Sequence, residues 1–148
     1  MVAAWLYLRL DFPSGIGFGP ERMAILEGIE QTGSISGSAR AVGRTYRQVW
    51  TVVKLMNETF PKPLVATQIG DPSRGASLTA FGKRLLANYR IMERDANFML
   101  RAHMRSLARI LGEDEDAPIP VPQWGAPYAS ERASRFEKIS TKSQKRRK

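Results

Sequence analysis

The chain contains no cysteine and only one histidine among its 148 residues. The first absence excludes disulfides, thiolate nucleophiles and cysteine-held zinc or iron–sulfur centres, and it fits a reducing compartment. The second leaves His103 as the only imidazole. It falls in the middle of a long helical pattern, where it reads as a packing or surface residue. No Gly-Lys-Thr/Ser phosphate loop occurs, and no carboxylates cluster where a metal could sit. Glu113-Asp114-Glu115-Asp116 is contiguous and reads as a solvated run. Catalysis needs positioned acids, bases or nucleophiles. The chain is therefore read as a non-enzyme, with no catalytic residue, no metal ligand and no cofactor. Long apolar runs are also missing: none approaches the ~18 residues of a membrane span. The opening MVAAWLYLRLDF has too short an apolar stretch, and no leading basic region, for a signal peptide. A cytoplasmic protein with no membrane partner is expected.

Acidic residues are scarce. There are 14 against 23 Lys and Arg, giving a formal net charge of +9. Between Gln31 and Asn57 there is no Asp or Glu at all, while Arg40, Arg44, Arg47 and Lys54 fall in that stretch. A basic balance favours polyanionic partners, nucleic acid before acidic membrane surfaces. A basic stretch confined to one motif is stronger evidence than total charge, since scattered cations also serve to solvate a surface.

That motif is GSISGSARAVGRTYRQVW, residues 33 to 50. Two short helical patterns meet at Val42-Gly43-Arg44. Ser34 or Ser36 caps the first, whose small residues Gly37, Ser38, Ala39 and Ala41 permit close helix approach. Gly43 suits a left-handed C-cap. The second pattern opens with Thr45-Tyr46-Arg47-Gln48, the Thr-x-x-Gln spacing of a capping box. It should run from about Thr45 to near Phe60, where Pro61 and Pro63 stop it. On a 100°-per-residue wheel, Val49, Val52, Val53 and Met56 share one side, with Tyr46 and Trp50 at its margin. Arg47, Thr51 and Lys54 fall opposite, with Gln48 and Leu55 at the edge. An ordinary amphipathic surface helix would look similar. The small-residue helix before it and the missing acids favour a helix that lies in a DNA groove. There Gln pairs bidentately with adenine and Arg with guanine.

Upstream, Trp5 to Phe12 reads as a short strand or extended arm, and Pro13-Ser14-Gly15 and Gly17-Phe18-Gly19 as turns. Pro20 suits the first turn of a helix, and Glu21 suits its dipole. Met23, Ala24, Ile25, Leu26 and Ile29 form its apolar stripe, and Gly33 ends it. Downstream, Leu64 to Ile69 and Ala76 to Thr79 read as two strands around Gly70-Asp71-Pro72-Ser73-Arg74-Gly75. This hairpin is the wing of a winged helix, and Arg74 at its tip is placed to reach a phosphate or minor groove. Thr79 caps a long helix from Ala80 to about Leu111. Leu85, Tyr89, Met92, Ala96 and Met99 keep a 3-4 spacing, and Leu100, Met104, Leu107 and Leu111 carry a second stripe. The stripes outrun the part that can pack on the rest of one chain, so pairing with a second copy is expected.

The fold class expected is mainly α with a small β-hairpin wing: a winged helix-turn-helix followed by a long C-terminal dimerisation helix. Residues 1–79 would form the DNA-binding domain and 80–112 the dimerisation helix. Residues 113–148, rich in proline and ending in Lys145-Arg146-Arg147-Lys148, would form a basic tail without fixed structure beyond about Ala117.

From about Gly19 to Tyr89 the chain resembles the N-terminal DNA-binding domain of ModE, the molybdate-responsive regulators, a winged-helix relative of the LysR-type regulators. The correspondence includes Gly33 to Ser36, the small-residue helix up to Gly43, Tyr46-Arg47, Trp50 and Met56-Asn57. It continues through Leu64-Val65, Leu78-Thr79 and Phe81-Gly82. The resemblance implies a dimer whose third helix and wing contact operator DNA and whose long helix forms the interface. Two departures stand out. The wing reads Gly-Asp-Pro-Ser-Arg-Gly-Ala-Ser where the family is very glycine-rich. The stretch after Gly112 is too short for the family's molybdate-binding domains, so molybdate binding is not carried over.

The partners expected are double-stranded DNA and a second copy of the chain. Candidate DNA contacts are Ser36, Arg44, Thr45, Tyr46, Arg47, Gln48, Thr51, Lys54 and Arg74. Candidate dimerisation residues are Leu85, Tyr89, Met92, Met99 and Leu107. A sequence-specific transcriptional regulator is the leading reading. A nonspecific architectural DNA protein and a protein-interaction winged helix are the alternatives.

Overall fold

A computed structural model describes residues 4–67, 75–115 and 117. Two expectations fall outside them: the contact assigned to Arg74 at the hairpin tip and the unstructured tail.

The first helix, α1 (Pro20–Thr32), starts with Pro20 in its first turn and ends on Gly33, whose φ of 71° is left-handed. Met23, Ala24, Ile25, Leu26 and Ile29 are all buried, as their spacing requires. Gly28 and Glu27 are buried with them, so α1 is enclosed by neighbours on most sides. One neighbour is α2 (Ile35–Val42). The two helices touch at Gly28, where an added Cβ would stand 2.9 Å from the Ser38 Cα. Only a hydrogen fits there, and the Ser38 hydroxyl fills the rest of the contact by donating to the Ile25 carbonyl at 2.7 Å. Ser34 is the cap of α2, its oxygen accepting from the Gly37 amide at 2.9 Å. Ser36 lies inside the first turn instead, exposed. Gly43 (φ 66°) closes α2, and Arg44 and Thr45 lead into α3 (Tyr46–Thr59).

The capping box is present. The Gln48 amide donates to Thr45 Oγ1 at 3.2 Å, and the Thr45 amide donates to Gln48 Oε1 at 3.0 Å. Val49, Val53 and Met56 point into the core, and Val52 is half-buried. Near the end of α3, Asn57 ties the helix to the next strand. Its Oδ1 accepts from the amides of Leu64 and Val65 at 2.8 and 3.1 Å, and its Nδ2 donates to the Val65 carbonyl at 2.9 Å. Those backbone groups are buried and need a partner.

Strands β3 (Val65–Thr67) and β4 (Ala76–Leu78) pair antiparallel, Val65 opposite Leu78 and Thr67 opposite Ala76. The Ala76 amide donates to the Gly33 carbonyl at 2.9 Å, which fastens the hairpin to the α1–α2 junction. A second strand pair precedes the helices: β1 (Leu10–Asp11) pairs antiparallel with β2 (Gly17–Phe18). Gly17-Phe18 is therefore strand and not turn, and only two residues of the Trp5–Phe12 stretch pair. Gly15 (φ 89°) reverses the chain. Phe18 is then held by burial against the rings of Phe60 and Tyr89, at 5.7 and 6.2 Å.

The last helix, α4 (Ala80–Leu111), has 32 residues, is capped by Thr79 and ends at Gly112 (φ 69°). At 1.5 Å per residue it is about 48 Å long. Its first half lies on the rest of the molecule. Arg90 donates to Glu27 and Glu30 of α1 at 2.9 and 2.8 Å. The Tyr89 hydroxyl donates to the Leu8 carbonyl at 2.7 Å. Asn97 exchanges two hydrogen bonds with the Leu6 backbone, at 2.8 and 3.0 Å. The inward line on α4 is Leu86, Tyr89, Glu93 and Asn97.

Two of the residues assigned to a dimer seam pack within this chain. Tyr89 is 1% exposed and belongs to this chain's own core. Leu85 is packed against that core as well. Both sit in the first turns of α4, which cover Phe18 and the helices beneath. Met92, Met99 and Leu107 are exposed, and so are Phe98, Ile110 and Leu111.

Candidate nucleic-acid interface

The junction between α2 and α3 presents its side chains outward as a consequence of its caps. Gly43 turns the chain, and the Thr45–Gln48 box fixes where α3 begins. Arg44, Thr45, Tyr46, Arg47, Gln48, Thr51 and Lys54 are all exposed. Arg44, Thr45, Arg47, Gln48 and Thr51 line one open groove, together with Glu21 and Ile25 of α1 and with Val49 and Val52. Tyr46 and Lys54 are not in that groove. They lie at four-residue spacing with Trp50 along the other flank of α3. Ser36 is exposed on α2 but does not line the groove.

Three details refine the assignments. Arg44 Nη2 is 3.2 Å from Glu21 Oε1, with both side chains well exposed. The sequence pattern assigns Glu21 only a role at the helix dipole. The pair joins residues 23 positions apart, and no local pattern signals it. Secondly, Gln48 Oε1 is engaged by the Thr45 amide. The cap and a bidentate pairing with adenine draw on the same oxygen; it keeps a second lone pair, but the cap fixes its direction, and the Nε2 donor is the arm left without a cap contact. Thirdly, the Thr51 hydroxyl donates to the Arg47 carbonyl at 2.8 Å, leaving its oxygen to accept.

The helical wheel puts Trp50 at the margin of the buried side. Its side chain is 40% exposed, with the Lys54 ammonium 5.4 Å from the ring centroid. The i, i+4 spacing of Trp50 and Lys54 is the signal available in the sequence. Arg47 has no ion-pair partner among the described residues. No group of three or more metal-ligating side chains is found among the described residues. No helix among them is long and apolar enough to cross a membrane.

No family model matches the chain. Comparison with curated proteins finds relatives. Over 111 residues the chain is 32% identical to the molybdenum transport protein ModE of Azotobacter vinelandii, covering 74% of this chain and 41% of that protein. Over 95 residues it is 39% identical to the molybdenum-pterin-binding protein MopB of Rhodobacter capsulatus, covering 64% and 35%. Over 90 residues it is 31% identical to the DNA-binding transcriptional dual regulator ModE of Escherichia coli K12, covering 60% and 34%. The chain spans less than half the length of these relatives. Its similarity is thus to part of a group of molybdenum-related proteins, several of them named as transcriptional regulators.

Proposed function

We propose that this chain is a sequence-specific DNA-binding transcriptional regulator that acts as a homodimer. In this reading α1 to α3 and the β3–β4 hairpin form a winged helix-turn-helix, with α3 in the major groove and the wing on the backbone or minor groove. One observation carries it. The capped helix α3 buries Val49, Val53 and Met56 and turns Arg47, Thr51 and Lys54 to solvent, in a stretch that contains no acid. A face of long donors beside an anchored apolar face is what groove reading requires. The ModE relatives named as regulators support it.

Arg47, Thr51 and the Gln48 amide nitrogen read bases. Thr45 and Tyr46, at the start of α3, and Ser36, on α2, lie close to the backbone of the duplex. Arg44, Lys54 and Arg74 set register on phosphates. The exposed apolar residues of α4, Met92, Met99, Leu107 and Ile110, meet a second copy. Two α3 helices then enter successive major grooves about 34 Å apart.

Selection of bound fragments from random duplex DNA tests this. A palindromic site with half-sites one helical turn apart is expected. Gln48→Ala should relax preference at one position by about 1 kcal/mol, the low end of the bidentate range because one amide arm is engaged in the cap. A specificity ratio near one would favour a nonspecific architectural clamp. Absence of DNA binding at low salt would favour a protein-interaction module.

A further inference from the structure

We propose that Trp50 reads the 5-methyl group of a thymine within the site that α3 recognises. The inference rests on the reading of α3 as the groove-facing helix. Its starting point is a large ring left in water. Tryptophan is highly buried on average, and Trp50 leaves 40% of its surface exposed in the middle of a well-anchored helix. Its neighbour in sequence, Val49, is fully buried. One residue is a 100° step around the helix, so Trp50 stands on the flank of the outward face. Arg47 and Thr51 occupy its centre.

That position matters because the groups of the major groove are not evenly placed. Across a base pair the purine O6 or N6 and the pyrimidine N4 or O4 lie in the middle of the groove floor, where the centre of an inserted helix finds them, and the purine N7 and the pyrimidine C5 position lie at its two edges. The thymine methyl projects toward the sugar–phosphate wall, where the flank of an inserted helix runs. It is the one apolar group on the floor, and apolar side chains are its natural partner. The second observation is Lys54, whose ammonium rests 5.4 Å from the indole centroid. A cation over the ring face is held there by the ring quadrupole. Lys54 is thereby directed to the same wall, where its charge meets a phosphate while the indole edge meets the methyl. One turn of helix supplies a phosphate anchor and an apolar probe side by side.

Deoxyuridine differs from thymidine only by that methyl. The test uses the full chain and a duplex recovered by selection, with each thymine replaced singly by deoxyuridine. One position per half-site should weaken wild-type binding about fourfold, the value for one methyl group taken out of water. Trp50→Phe should keep most of this sensitivity. Trp50→Ala should bind the thymine duplex at least as weakly as wild type binds the uracil duplex, since it also frees Lys54 from the ring, and should be indifferent to the replacement. The proposal is overturned if Trp50→Ala stays as sensitive as wild type, because another residue then reads the methyl. Insensitivity of the wild type at every thymine overturns it without any variant, and points to an indole N–H on a phosphate. Failure to select any site overturns the regulator reading itself, so the two failures are distinguishable.

Discussion

Arg44 is an example of a side chain whose availability is set by one partner. Its guanidinium is 3.2 Å from the Glu21 carboxylate, on the groove that Arg47 and Thr51 also line. An exposed pair of this kind contributes about 0–1 kcal/mol to stability, so its effect on binding is the larger concern. A phosphate approaching Arg44 must displace Glu21 or share the cation with it, and Glu21 itself repels the phosphate. Glu21→Gln should therefore tighten DNA binding, by up to about fivefold if a full 1 kcal/mol is recovered. It should also steepen the salt dependence by about one phosphate contact. Titrations at two salt concentrations measure both. An unchanged affinity and slope would remove Arg44 from the interface.

Among the elements, the start of α4 is the most constrained. Thr79 caps it and also donates to the Pro63 carbonyl at 2.7 Å. Gly82 faces the same loop: an added Cβ would stand 2.2 Å from the Leu64 carbonyl oxygen. Alanine is favoured over glycine in a helix by about 1 kcal/mol. A backbone clash of this closeness cannot be relieved by turning a side chain, and overpacking costs about 1–3 kcal/mol or more. The clash should win. Gly82→Ala is expected to lower the urea midpoint, with a net loss of about 1–2 kcal/mol. A midpoint at or above wild type would show that α4 can draw back from Leu64 at little cost.

The caps also explain how much of the fold is legible in the chain itself. Gly33, Gly43, Gly112, Thr45 with Gln48, and Thr79 each act within four residues, so helix boundaries are legible from local chemistry. The pairing of Gly17-Phe18 with Leu10-Asp11 is not, because Phe18 is held by Phe60 and Tyr89, far along the chain. The inward turn of Tyr89 and the burial of Asn97 depend on Leu8 and Leu6, 81 and 91 positions away. A periodic apolar stripe says that a helix has a buried face. It does not say whether the cover comes from the same chain or another. In the candidate site, Arg47, Thr51 and Lys54 are legible as an outward face, whereas the hold of the cap on Gln48 Oε1 and that of Glu21 on Arg44 emerge only from geometry.

At the scale of the whole molecule, the second half of α4 is the unfinished part. Met99 is 73% exposed and Ile110 is 76% exposed, with Phe98, Leu107 and Leu111 nearby in sequence. Apolar side chains left in water in this number are the kind of surface that a partner covers. The occupant proposed is the same helix of a second copy. Met99→Lys should then shift sedimentation from twice the 16.6 kDa chain mass toward once that mass. It should also reduce binding to a full palindrome toward that of a half-site. Burying a Lys without a partner at a helix seam costs several kcal/mol, more than a dimer of modest size can absorb. Wild-type protein that sediments as a monomer at micromolar concentration would overturn the dimer reading.

The fork of Arg90 onto Glu27 and Glu30 acquires a meaning in such a pair. It bolts the long helix to the central one, so the angle at which two copies cross becomes the angle at which their reading heads sit. The proposed pair would behave as a fixed calliper. Five extra base pairs between half-sites would carry the second head to the far side of the duplex, so binding by such a pair should fall toward that of a single half-site.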